Sequence, residues 1–253
     1  MGALKDRVII VTGATSGMGR AMAKTFVEEG ASLVIAGRNR ERGESLLTEL
    51  QKIHGNSVLV CGDIGTPDTN KELVETAVDS FGKLDTVVAN AGVLGLGEVA
   101  SLSIASWHET LNTNLSSLFY LAKYALPHML KNKFGIVLAN ASIAAFKAFP
   151  KHPAYCASKA AQVALIKQMA KDYGPVVRAN AICPGPVDTP LIWDSAKAFE
   201  SPEEAVDQAA EATLLQRLGT PDDIAKLALF LLSENASFIT GSTITIDGGI
   251  TVG

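Results

Sequence analysis

The sequence predicts an α/β fold: one doubly wound parallel sheet of about seven strands with helices on both faces. Three observations predict it. Short apolar runs recur along the chain without polar alternation, as strands covered on both faces do. Longer helical stretches separate them, and strand–helix alternation builds a parallel sheet through right-handed crossovers. The 253 residues suffice for one such domain with a large core and are too few for two ordinary enzymatic domains. No linker, repeat or low-complexity stretch divides residues 1–253.

In chain order, strands are expected at Val8–Val11, Leu33–Ile35, Val58–Cys61, Thr86–Ala89, Ile136–Ala139, Val177–Ile182 and Thr243–Ile246. Helices are expected at about 17–29, 40–53, 67–81, 106–131, 153–173 and 222–233. Two helix starts are legible directly. Ser201-Pro202-Glu203-Glu204 and Thr220-Pro221-Asp222-Asp223 each offer a cap, a proline at the first helical position and a carboxylate three residues on. The stretch at about 186–215 fits no core strand. It follows the sixth strand, at the carboxyl end of the sheet where ligands bind in open α/β folds, and so reads as a substrate lid.

Composition excludes several classes. Net charge is −4 and the pI about 5.6, which leaves no basic footprint for nucleic acid or anionic lipid. No segment reaches the ~18 apolar residues of a membrane span. Met1–Arg7 is polar and leads straight into a strand, so no signal peptide is expected. Cys61, Cys156 and Cys183 lie far apart and read as reduced thiols of a cytoplasmic protein. His54, His108, His128 and His152 form no metal-binding pattern and read as surface or helix-end residues. The charged fraction of 19% is slightly low, which fits either surface buried between subunits or a well-filled core.

The first strand runs into Thr12-Gly13-Ala14-Thr15-Ser16-Gly17-Met18-Gly19, and a helix follows. Gly13 allows a sharp turn; Gly17 and Gly19 let backbone approach a pyrophosphate and let the helix pack on its strand. The helix N-terminus offers free N–H groups and partial positive charge to phosphates. A glycine-rich turn without a ligand is the plainer alternative at this stage.

The spacing Gly-x3-Gly-x-Gly resembles the TGxxxGxG fingerprint of the short-chain dehydrogenase/reductase family, in its 3-oxoacyl-[acyl-carrier-protein] reductase-like branch. Further matches arrive in order: Asp63-Ile64 after the third strand, Asn90-Ala91-Gly92 after the fourth, Pro184-Gly185 after the sixth, and Asp247-Gly248-Gly249 near the end. The resemblance spans essentially the whole chain. It implies a Rossmann-type fold and a nicotinamide dinucleotide held by Gly13, Thr15, Ser16, Gly17, Met18, Gly19, Arg38, Asp63, Ile64, Asn90, Ala91, Gly92, Tyr155, Lys159, Pro184, Gly185, Val187 and Thr189. Asp63 would hold the adenine amino group, and Val187 and Thr189 the nicotinamide carboxamide and phosphates.

The second strand ends Ala36-Gly37-Arg38-Asn39. No acid stands there to accept from ribose hydroxyls, as is usual where NAD binds. Arg38 offers a guanidinium suited to a 2′-phosphate, so NADP is expected, with NAD the alternative. Arg38 as a solvated helix-start residue, or stacked on adenine, also remains open. Many NADP-users carry a basic residue just before the second glycine; here that residue is Ser16.

Hydride transfer requires a proton from the protein. Tyr155 and Lys159 are four residues apart on an expected helix, hence on one face. A nearby ammonium and an oxidised nicotinamide would both favour the phenolate. Tyr155-Cys156-Ala157-Ser158-Lys159-Ala160-Ala161 is similar to the family's YxASKAA. Ser142 lies thirteen residues earlier, at the family spacing, and would hydrogen-bond the substrate oxygen. Asn114 stands at the fourth catalytic position, where the resemblance implies a water on a proton relay to Lys159 and an irregular helix; Asn112 is rejected on register. Departures from the family pattern are Ala89, Ala141 and Ala144-Ala145, none of which removes a catalytic group.

The expected reaction interconverts a ketone or aldehyde and an alcohol, with no metal. The pocket should draw on Val93–Val99, Ile143–Phe149, Pro186 and Leu191–Phe199. Phe146, Phe149, Ile192, Trp193 and Phe199 would make it apolar, or would pack lid against body or subunit. Lys147 and Lys151 read as solvated residues near the pocket, with attraction of an anionic substrate or carrier the alternative. A catalytically inactive dinucleotide-binding sensor or scaffold is the alternative. A purely structural oligomerisation module would leave the glycine fingerprint unexplained. The resemblance implies a homotetramer, or else a dimer; Ala154, Ala157, Ala160, Ala161 and Ala164 would suit close helix packing across a two-fold axis.

Overall fold

The computed structural model describes residues 2–54 and 56–252. Met1, Gly55 and Gly253, within the single domain expected over 1–253, lie outside the described residues. The strands are β1 (Val8–Thr12), β2 (Ser32–Gly37), β3 (Ser57–Cys61), β4 (Thr86–Ala89), β5 (Gly135–Asn140), β6 (Val177–Pro184) and β7 (Thr243–Ile246). Among the described residues they form one parallel sheet in the order β3-β2-β1-β4-β5-β6-β7.

The apolar runs follow from burial on both faces. In β1, Ile9 and Val11 point into one core with Leu33 and Ile35 of β2, while Val8 and Ile10 point into the other with Val34 and Ala36. The first core is closed by helices α1 (Gly17–Glu28), α2 (Arg40–Ile53) and α9 (Pro221–Leu232), through Met22, Phe26, Leu46, Leu50, Ile224 and Leu231. The second is closed by α3 (Pro67–Phe81), α5 (Ser117–Asn132) and α6 (Pro153–Tyr173), through Leu73, Leu121, Met129, Val163 and Ile166. Each fully buried Leu, Ile or Phe contributes about 1.5–3 kcal/mol relative to exposure, so a period-2 strand with no polar face serves both layers.

Two expected features differ in detail. The single helix expected at 106–131 is α4 (Ile104–Leu111), a π-helical turn at Asn112–Ser116, and then α5. The widened turn is the irregularity expected at Asn114. Thr220 forms a full capping box with Asp223, whereas Ser201 occupies the cap position of α8 (Pro202–Glu211) without a side-chain cap hydrogen bond. Residues 186–215 carry α7 (Pro190–Ala196) and α8, with Val187 paired to Gly219. Among the described residues, no helix is long and apolar enough to cross a membrane.

The strand order reverses direction between β1 and β4, and the crevice at that switch point opens beyond the strands' carboxyl ends. There the β1–α1 turn, the β4 and β5 exits and the segment after β6 converge.

Candidate active site

Two adjoining cavities occupy this crevice. A polar cleft of about 540 Å³ runs along the β1–α1 turn. An apolar cavity of about 300 Å³ lies beside it, under α7 and α8. Met18, Leu94, Thr189 and Leu191 line both, so they form one continuous site.

Twelve of the residues expected to hold a dinucleotide line the polar cleft: Gly13, Thr15, Ser16, Gly17, Met18, Arg38, Asp63, Ile64, Asn90, Ala91, Gly92 and Thr189. Pro184, Gly185 and Val187 line the apolar cavity with Ser142 and Tyr155. Gly19, Asn114 and Lys159 are not at either lining and support it from beneath. A Cβ on Gly19 would run into the Gly13 carbonyl oxygen and sit 2.5 Å from Asn90 Nδ2. Gly13 itself has φ +63°, and its Cβ would stand 2.7 Å from Ala91 Cα. The expectation that Gly19 serves close packing and Gly13 the turn therefore has a steric basis.

The cleft suits a phosphate-bearing ligand. Ser16 is the N-cap of α1, but its side chain makes no cap hydrogen bond and the first turn holds no acid. The first-turn N–H groups of α1 are thus left free at the positive end of the helix. At the far end, Arg38 and Arg42 both line the cleft. Asn39 does not compete there: its Oδ1 accepts from Arg42 N at 2.8 Å and caps α2. Arg42 was missed in the sequence, although it lies four residues after Arg38 at the start of a predicted helix. Asp63 Oδ1 accepts from Gly65 N at 2.9 Å.

Asn90 ties the β1 and β4 ends together, its Nδ2 donating to Thr12 O at 3.0 Å and to Gly13 O at 3.2 Å. Asn140, at the end of β5, donates to Asn90 Oδ1 at 2.8 Å. These bonds fix the glycine turn to the strand that delivers Ser142.

Ser142 caps a short 3₁₀ turn, Ile143–Ala145, and its Oγ accepts from Ala144 N at 3.1 Å. The nearby Ser142 side chain favours the Tyr155 phenolate. Burial outweighs that influence and pushes the Tyr155 pKa up to about 12. The Lys159 ammonium was expected to lower this value; within the protein alone, desolvation prevails. Lys159 Nζ lies 5.5 Å from the Tyr155 ring centroid. Burial pulls the Lys159 pKa down to about 8.

Asn114, on the π-helical turn, is fully buried. Its Oδ1 accepts from Val93 N at 2.8 Å, and its Nδ2 donates to Val93 O and Ser158 Oγ, both at 2.9 Å. Asn112 is exposed on the same turn, where its Oδ1 accepts from the Ser116 hydroxyl.

The apolar cavity includes Phe149, Ile192 and Phe199 as expected, with Ile143, Leu191 and Ile250. Phe146 and Trp193 are instead exposed and absent from its lining. His152 corrects the sequence reading in part. It sits at a helix end, yet is only 3% exposed and lines the cavity. Its Nδ1–H donates to Pro150 O at 2.6 Å, which leaves Nε2 to accept from the Ser195 hydroxyl on α7 at 2.8 Å. Burial lowers its pKa, so the ring is neutral at pH 7. Cys183, read from the sequence as a reduced thiol, is a free cysteine buried at the end of β6, and burial raises its pKa.

Known proteins resemble this chain over its full length. Residues 13–251 match the family model described as enoyl-(acyl carrier protein) reductase. An uncharacterized oxidoreductase of Thermotoga maritima is 33% identical, covering 98% of both chains. The 3-oxoacyl-[acyl-carrier-protein] reductase FabG of the same organism is 31% identical, over 98% of this chain and 99% of its own. A 3beta-hydroxysteroid dehydrogenase of Mediterraneibacter gnavus is 33% identical, over 99% and 97%. Among solved structures, levodione reductase superposes with TM-score 0.94 at 28% identity, covering 98% of this chain and 99% of that one. A short-chain dehydrogenase/reductase of Brucella melitensis superposes with TM-score 0.90 at 32% identity, covering 99% of each. With the glycine turn, the Tyr155–Lys159 pair and the parallel sheet in the same order along the chain, the protein belongs to the short-chain dehydrogenase/reductase family of oxidoreductases.

Proposed function

We propose that this chain is an NADP(H)-dependent oxidoreductase that interconverts an apolar ketone or aldehyde and the corresponding alcohol. The observation that carries this reading is that Ser142 and Tyr155 together line an apolar cavity that opens into a polar, arginine-ended cleft. Bound in that cleft, a nicotinamide dinucleotide supplies the hydride in one direction and accepts it in the other.

Tyr155 gives its proton to the substrate oxygen in reduction and takes it back in oxidation. Ser142 donates to the same oxygen and steadies developing negative charge. Lys159, held by Asn140 O at 2.8 Å, places its positive charge beside the Tyr155 ring and favours the phenolate that forms. Asn114 anchors the loop at Val93 to the catalytic helix through Ser158. The lining by Ile143, Phe149, Ile192 and Phe199 favours a compact apolar substrate over a sugar or a carboxylate. The names of two relatives, a hydroxysteroid dehydrogenase and levodione reductase, support a cyclic ketone.

The preference for NADP(H) rests on Arg38 and Arg42 in the cleft and on the absence of an acid at the end of β2. One catalytic domain spans the chain, and residues 186–215 act as its substrate lid, latched to α6 by the His152–Ser195 hydrogen bond. The exposed Ala157, Ala160 and Ala164 on one face of α6 support assembly into a homotetramer or dimer. The free cysteines support a cytoplasmic setting.

The test is turnover of NADPH with a panel of apolar cyclic ketones, followed by loss of reduced-nicotinamide absorbance in wild type and Tyr155→Phe. Turnover by the wild type and its loss in the variant is the expected result. Tight dinucleotide binding with no turnover in either direction across the panel would favour a sensor or scaffold instead.

A further inference from the structure

On α6, three residues after Lys159 and therefore on the same helix face, stands Gln162. It is 1% exposed, and with Ser158 and Lys159 it is one of the buried polar residues of a helix that also buries Val163 and Ile166. Its Nε2 donates to the Asn114 main-chain carbonyl at 2.6 Å, and its Oε1 accepts from Lys159 Nζ at 3.1 Å. The orientation of the amide is fixed by chemistry: a carbonyl only accepts and an ammonium only donates, so a flipped amide would lose both bonds.

We propose that Gln162 is a positioning residue for Lys159, and that its side chain makes the bridge between Asn114 and Lys159 for which a water was expected. The proposal rests on the catalytic reading given above. Two further observations support it. The Asn114 side chain is already engaged, with both Nδ2 hydrogens donated and Oδ1 accepting from Val93 N. Lys159 Nζ already has two fixed acceptors, Gln162 Oε1 and Asn140 O, which leaves one of its three N–H bonds. The open side of Nζ is marked by Gly92: a Cβ added to that cleft residue would lie 3.7 Å from it.

The replacement has a chemical consequence. A water can accept a proton from one side and release one on the other. A carboxamide hydrogen-bonds without gaining or losing a proton at neutral pH. Gln162 therefore holds the ammonium in place and closes the inward proton route through Asn114. The proton that Tyr155 gives to the substrate oxygen is then restored from solvent through the open site. The titratable groups facing Lys159 are Tyr155 on its own helix and Cys183 on β6. Neither is charged at pH 7, so the two carbonyl acceptors are what offset the burial of the ammonium.

The experiment is an NMR titration of the lysine Cε signals in ligand-free protein, with Lys159 assigned by its disappearance in Lys159→Met. Removing an acceptor from a buried cation disfavours the charged form, and adding a carboxylate favours it. Gln162→Leu should lower the Lys159 midpoint by about one pH unit and Gln162→Glu should raise it by about as much. In turnover, Gln162→Leu should reduce kcat about tenfold with little change in the KM for either substrate. Unmoved midpoints in both variants, or midpoints that shift the same way in both, would show that Gln162 only fills space and would overturn the proposal. Gln162→Met serves in place of leucine if that variant does not fold. The titration needs no turnover, so its result stays separate from the catalytic reading, which fails instead if Tyr155→Phe remains fully active.

Discussion

Arg38→Ala offers the sharpest test of cofactor choice. The guanidinium lines the cleft and its side chain is 61% exposed. Its ion pair with Glu109 is long, 3.8 Å, and lies between exposed side chains, so releasing it for a ligand costs little. A charge-assisted hydrogen bond to phosphate contributes about 1.5–3 kcal/mol, and solvent screening at this exposure places Arg38 in the lower half, about 1.5–2 kcal/mol. That converts to roughly ten- to thirtyfold weaker NADPH binding. NADH lacks the 2′-phosphate, so its affinity should change by less than about twofold. Trp107 and Trp193 provide the intrinsic fluorescence for titrating both dinucleotides. Arg42→Ala should show the same selectivity, and the double variant should lose most discrimination. Equal loss for NADPH and NADH in Arg38→Ala, or a wild type that binds NADH as tightly as NADPH, would refute the assignment of Arg38 to the phosphate.

Other outcomes follow from the same geometry. Tyr155→Phe should cost about 10²–10⁴-fold in kcat while leaving dinucleotide Kd nearly unchanged, as measured by steady-state kinetics and fluorescence titration. Lys159 should leave a mark on stability against pH. Its folded pKa of about 8 lies below the ordinary 10.5, so the unfolded chain binds more protons between those values. Stability should therefore rise with pH across that window, by roughly 3 kcal/mol from this group, and denaturant titrations of Lys159→Met should lack that rise. Gly19→Ala should destabilise the fold by about 1–3 kcal/mol, because its Cβ meets the Gly13 carbonyl oxygen in a packed turn; thermal melting checks it.

Much of the molecule was legible before any coordinates. Strands covered on both faces must be apolar throughout, which is why β1, β4 and β5 stand out as uninterrupted runs. The β1–α1 turn is local: Gly13, Gly17 and Gly19 act within a few residues of one another, and their spacing records the turn they make. Tyr155 and Lys159 are likewise joined by one helical turn. The division of one expected helix by the π-turn at Asn112–Ser116 has no local apolar or proline signal and was anticipated only through the family resemblance.

By itself, the sequence determined the order of elements, the glycine-rich turn after β1 and the pairing of Tyr155 with Lys159 on one helix face, because each is set by residues a few positions apart. The tertiary structure decided the rest. His152 reads as a helix-end histidine along the chain, and only the approach of Ser195, 43 residues later, makes it part of the cavity wall. Gln162 is an ordinary polar residue in a helix until the π-turn brings the Asn114 carbonyl, 48 positions away, within 2.6 Å of its amide. The balance of burial against charge at Tyr155 and Lys159 also depends on how much water the packed elements exclude. That is a property of the whole enclosure, summed over strands and helices far apart in the chain, and no short stretch of residues encodes it.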